Sequence, residues 1–148
     1  MGTVTAAYGL AVLAVFLFVR TCPARHTHLA ATFLMLAWFA YNMMRGLLFG
    51  PDLVVALGVL DFAGAIFAFA LYLNRPAWWK PLLGFLFLCQ SATHAMFLSV
   101  SPDGDPGWAY TVALNLLFIG ELAVVAAPAA LFQLQRMRSR RVGRLTKA

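Results

Sequence analysis

Five runs of almost uninterrupted apolar residues divide this chain, at positions 4–19, 29–49, 53–73, 79–100 and 108–132. A helix needs about 20 apolar residues to cross the hydrocarbon of a bilayer. The last four runs reach that length. The first is shorter and fits either a span or a helix lying along the interface. None of the runs alternates apolar and polar residues with period two, which argues against a β-barrel. Backbone N–H and C=O groups in lipid find no water, so a spanning run must be helical. The expected fold is an all-α polytopic transmembrane bundle of five spans, or four if the first is interfacial. Residues 1–135 form the bundle, and 136–148 form a basic cytoplasmic tail.

Composition supports lipid as the solvent. Apolar residues make up 63% of the 148 positions and charged residues 11%, against about half and a quarter in an average soluble domain. The net charge of +6 invites a nucleic-acid partner, but the basic residues sit between and after the apolar runs, as membrane anchors do. No nucleic acid is expected. Cys22 lies in a polar link and Cys89 inside an apolar run, so two free thiols are expected rather than a disulfide. No Lys or Arg precedes the first run, so no cleavable signal peptide is expected.

Pro, Gly and Asp punctuate the links at 21–25, 50–52, 74–76 and 101–107. The links after the first and third runs carry Arg20, Arg25, Arg75 and Lys80. The tail carries Arg136, Arg138, Arg140, Arg141, Arg144 and Lys147. The other two links carry Asp52, Asp103 and Asp105 and no basic residue. Ten of the eleven Lys and Arg therefore fall on one side of a five-span chain, which the positive-inside rule makes cytoplasmic. The expected orientation is N-out and C-in. The tail is expected to bind lipid headgroups. Trp78, Trp79, Trp108 and Tyr110 read as interfacial anchors, and His26 and His28 as solvated interfacial residues. The abundance of Arg over Lys suggests a bacterial inner membrane.

Polar side chains inside hydrocarbon are costly and mark either packing or function. Here they are Asn42 and Arg45 in the second run, Asp61 in the third, Gln90 and His94 in the fourth, and Asn115 and Glu121 in the fifth. At about 1.5 Å per residue, all but the deeper Glu121 fall within about 15 Å of the outer end. They form one intramembrane polar layer. Asp61, Gly64, Ala65 and Ala68 share a helical stripe, so Asp61 is expected to face protein rather than lipid. Gly46 and Gly50 form a GxxxG pair, a candidate contact face. Asn115 and Glu121 point about 120° apart and are not expected to share one small site. The expected partner of Asp61 is Arg45, because pairing removes most of the cost of an isolated charge.

No spacing signature points to catalysis or metal. One deep His with scattered carboxylates makes a weak metal site at best, and no metal is assigned. Asp103-Gly104-Asp105 lacks the spacing and terminal Glu of a calcium loop, and no catalytic residue is assigned. The cofactor is left open. Short links leave little room for an extramembrane active site, so an enzyme is disfavoured. The first expectation is an accessory or assembly subunit acting through helix and lipid contacts, with other membrane subunits or a second copy as partner. The alternative is a small oligomeric channel or proton-coupled transporter using the polar layer. The topology is testable directly. A cysteine placed at Asp103 should react with an impermeant thiol reagent from outside intact cells, and a reporter fused after Lys147 should work only in the cytoplasm. Labelling only after permeabilisation would overturn the orientation.

Overall fold

The computed structural model describes residues 2–101 and 107–145. These form helices α1 (Gly2–Val19), α2 (Arg25–Leu47), α3 (Gly50–Asn74), α4 (Trp79–Val100) and α5 (Trp108–Leu145). Three helical segments are long and apolar enough to cross a membrane: Gly50–Asn74, Trp79–Val100 and Trp108–Ser139. Helix α2 matches them in length at 23 residues, but Arg25, His26, His28, Asn42 and Arg45 dilute its apolarity. The described apolar part of α1, Thr5–Val19, is shorter. Helix α5 passes through Pro128 and continues into the basic segment without a break in the helix. The Asp103–Asp105 turn and Lys147 lie outside the described residues, as do the side chains of Arg140, Arg141 and Arg144.

Each helix packs on the next, and α5 returns to α1, so the five close into a ring with α2 also touching α5 across it. The most extensive contact is α3 on α4. It is built from glycine hollows filled by rings in both directions. A Cβ on Gly64 would stand 2.8 Å from the Phe87 ring, and one on Gly84 would stand 3.0 Å from the Phe69 ring. Gly58 sits against His94, where a Cβ would meet the His94 Cβ at 3.2 Å. Ser91 adds a cross-link, its Oγ donating to the Gly58 carbonyl at 3.0 Å. Gly64, Ala65 and Ala68 are buried, as their stripe implied. Phe33 from α2 stacks on Phe67 at 4.6 Å and meets Phe87 edge-on at 5.7 Å, tying α2 to this pair. Trp38 lies over Gly9 and ties α2 to α1.

Gly46 and Gly50 do not pack against another helix of the bundle. Nothing lies within 4 Å of the Cβ position of either. Gly50 has a φ of 58°, in the left-handed region that a Cβ disfavours, and it supplies the turn from α2 into α3, with Pro51 fixing the first turn.

At the opposite end of the bundle, near the links after α1 and α3, a lysine departs from expectation. Lys80 is only 2% exposed. Its ammonium donates to the Leu71 carbonyl at 2.7 Å, to the Arg75 carbonyl, and to His26 Nδ1 at 3.2 Å. All three of its N–H donors are used. One of them satisfies the Arg75 carbonyl just past the end of α3, and another adds to the Leu71 carbonyl, which also accepts from the Arg75 N–H at 3.2 Å. Trp79 beside it is 5% exposed, so it is a core residue, whereas Trp78 and Trp108 are exposed. Both histidines of this link are engaged rather than solvated, His28 Nε2 meeting the Cys22 carbonyl at 2.6 Å. Desolvation, then the positive charges of Lys80, Arg75 and Arg25, hold the pKa of His26 below its ordinary value. The neutral ring is what accepts from Lys80. Its protonation as pH falls below the ordinary histidine range opposes this contact. Cys22 and Cys89 are free thiols.

The glycine hollows give a paired prediction. Gly64→Ala forces the buried Phe87 ring to move and should destabilise by about 1–3 kcal/mol. Gly46→Ala, in open space within a helix, should stabilise by about 0.5–1 kcal/mol. Thermal unfolding in detergent checks both, and equal effects would refute the hollow-filling account.

Candidate functional site

The ring holds a partly open cavity of about 300 Å³ toward the end where α2 meets α3 and α4 meets α5. All five helices reach it. Helix α1 contributes Thr5 and Tyr8, and α2 contributes Trp38, Tyr41, Asn42 and Arg45. Asp61 comes from α3, Gln90 and His94 from α4, and Asn115, Phe118 and Glu121 from α5. The seven polar residues singled out in the sequence therefore all line one cavity. Asn115 and Glu121 share it despite their angular separation, because the cavity is wide enough to span both faces and Phe118 fills the interval between them.

Within it, side chains from three helices form a continuous hydrogen-bonded chain. His94 Nε2 meets Asp61 Oδ2 at 3.0 Å. With Nε2–H donating to the carboxylate, Nδ1 of the neutral ring accepts from the Tyr110 hydroxyl at 2.6 Å. Tyr110 is held in place by stacking on Phe97 at 4.2 Å. The Gln90 amide is assigned with its nitrogen toward the carboxylates, the orientation that satisfies both of its ends. It donates to Asp61 Oδ1 and to Glu121 Oε1, each at 3.1 Å, while its oxygen accepts from the Phe118 N–H at 3.3 Å. The order is Tyr110, His94, Asp61, Gln90, Glu121. His94, Gln90 and Glu121 are buried, and Asp61 is 15% exposed at its side chain.

The expected Arg45–Asp61 pair does not form. Arg45 is exposed, and its guanidinium lies over the Tyr41 ring at 5.5 Å. The partner of Asp61 is His94, through a hydrogen bond from the imidazole. Gly58 lets α4 approach α3 so closely that His94 occupies the ground beside Asp61. Arg45, on the last turns of α2, keeps its charge at the cavity mouth. Asn42 turns back on its own helix, donating to the Trp38 carbonyl at 2.7 Å. Tyr110, read from the sequence as an interfacial anchor, is a member of the buried chain. Its placement in the first turn of α5, across a short link from the last turns of α4, is the signal that could have found it. Trp38 shares a helical stripe with Asn42 and Arg45 in the sequence, whereas Tyr8 and Tyr41 were missed because an aromatic residue in an apolar run carries no mark of which face it takes.

Chemically, the hydrogen-bonded chain holds two carboxylates, one imidazole and one phenol, with an amide between the carboxylates. Gln90 is an amide and does not readily pass a proton, so it separates Asp61 from Glu121 as two proton-holding groups while donating to both. No group of three His, Cys, Asp or Glu able to hold a metal ion occurs among the described residues. Comparison with protein families, with curated proteins and with solved structures finds no match.

The Asp61–His94 contact should appear in a double-mutant cycle of Asp61→Asn and His94→Gln, read by thermal unfolding in detergent. A coupling of about 0.5–3 kcal/mol is expected for groups in one network. The corresponding Asp61→Asn, Arg45→Met cycle should give a smaller value. The reverse order would restore the arginine as the partner.

Proposed function

We propose that the chain is a five-span integral membrane protein of a bacterial inner membrane, N-terminus outside and C-terminus in the cytoplasm. In this reading it works as a small proton-coupled carrier or channel, and the central cavity is its site. The supporting observation is the partly open cavity lined by Asp61, His94 and Glu121. Ionisable groups at this depth are expensive in hydrocarbon unless they mark a polar pathway. A histidine hydrogen-bonded to a carboxylate is a pair along which a proton can pass. The one-sided distribution of basic residues supports the orientation, which puts the polar end of the cavity in the outer half of the membrane. The tail from Arg136 to Lys147 then lies on the cytoplasmic leaflet, each basic residue adding up to about 1 kcal/mol with anionic lipid.

The second reading is an accessory or assembly subunit. One observation favours it. Every buried side-chain nitrogen and oxygen among the described residues has a partner, as a network specifying helix packing requires. The two readings differ in what the network does when bulk pH changes. In reconstituted vesicles, the infrared carbonyl band of protonated Glu121 or Asp61 should shift in deuterated water and fade as pH is raised, and Glu121→Gln should remove part of it. A band blind to both treatments, together with a stoichiometric partner subunit in native mass spectrometry, would sink the carrier and leave the accessory subunit.

A further inference from the structure

Among the ionisable side chains lining the cavity, Glu121 is the most completely buried, at 1% exposed. Its hydrogen-bond partner is the neutral Gln90 amide. Among the described residues no Lys, Arg or His nitrogen lies within 4.0 Å of it. Asp61 is matched by His94, and Arg45 sits exposed over Tyr41. Of the two carboxylates in the cavity, the more deeply buried one therefore has no basic group beside it. A buried carboxylate is stabilised either by a proton on it or by a cation beside it.

The walls decide which cation. Tyr8, Trp38, Tyr41, Phe87 and Phe118 line the same cavity, and aromatic faces attract alkylated ammonium groups. A small hard metal ion needs six or more oxygen ligands, which these walls do not offer. An anion would meet two carboxylates. The volume of about 300 Å³ is at the lower end of small-molecule sites.

We infer that the cavity binds a small organic monocation, a protonated or quaternary amine on an apolar body, in exchange for the proton on Glu121. This rests on the cavity being a proton-exchanging site and names what the proton is exchanged for. The step balances. The Glu121 carboxylic acid gives up one proton to the bulk solvent, the ammonium takes its place beside the carboxylate, and the cavity's net charge is unchanged. The titratable and charged groups facing the site are Tyr8 from α1, Tyr41 and Arg45 from α2, Asp61 from α3 and His94 from α4. Tyr110 connects to it through His94.

The test is calorimetric titration of the full-length protein in detergent with benzyltrimethylammonium, run in buffers of different ionisation enthalpy. N-tert-butylbenzamide serves as a neutral control of similar size. The cation should bind with release of one proton, and its affinity should fall about tenfold per pH unit where Glu121 holds its proton. Glu121→Gln should bind it at least about tenfold more weakly and abolish the proton release. Trp38→Leu should weaken the cation more than the amide while keeping the release, which preserves the test if Glu121→Gln does not fold. Absence of binding, binding without proton release, or equal affinity for the amide overturns the inference. If the infrared band follows bulk pH but the cation does not bind, the ligand class is wrong and the proton-exchanging reading stands. A pH-blind band defeats both.

Discussion

Helices α3 and α4 approach closely because each presents glycine where the other presents a bulky side chain. Phe87 fills the hollow at Gly64, Phe69 fills the hollow at Gly84, and the His94 backbone region settles on Gly58. The cavity chemistry depends on this fit. Gly58 and Asp61 are three residues apart on one helix face, so a histidine seated against the first is brought to 3.0 Å from the second. Where hydrocarbon surrounds a bundle, apolar side chains gain little by leaving lipid, and association relies on close van der Waals packing and interhelical hydrogen bonds. The glycine hollows and the His94–Asp61 contact provide both in one interface.

The polar chain follows from the cost of leaving donors and acceptors bare in such surroundings. Asp61 accepts from His94 and Gln90, Gln90 uses both amide hydrogens on carboxylates, and Tyr110 closes the free end of the imidazole. A fully satisfied network fixes the relative rotation of three helices more strictly than apolar packing alone. That same completeness leaves Glu121 balanced by a neutral amide rather than by a base, and this asymmetry separates a purely architectural network from one poised to take up a proton or a cation.

The two ends of the bundle use ionisable residues differently. At one end Lys80 spends all three donors on backbone carbonyls and a histidine, closing the C-terminus of α3. It is a buried cation tied to backbone and lies outside the lining of the central cavity. At the other end the groups face open volume. A long flexible ammonium stem can reach back over the end of a neighbouring helix, whereas the shorter Asp61 and Glu121 act where their helices place them.

The five-helix architecture was legible because run length and the Pro/Gly links are local properties of the chain. So was the presence of seven polar residues at related depths, since rise per residue converts sequence position into height. The face of α3 was legible from the spacing of Asp61, Gly64, Ala65 and Ala68. Pairing was not. Whether Asp61 meets Arg45 or His94 depends on how far α4 can press against α3, and that distance is set by which glycine faces which ring. The same holds for Lys80 and Tyr110, whose positions near helix ends suggested exposure until neighbouring elements covered them. The sequence determined the helices and the heights of the polar residues along them, because these follow from covalent spacing along one chain. The tertiary structure decided the partners, the cavity and the unmatched carboxylate, because these depend on the rotation and separation of helices that no single run encodes.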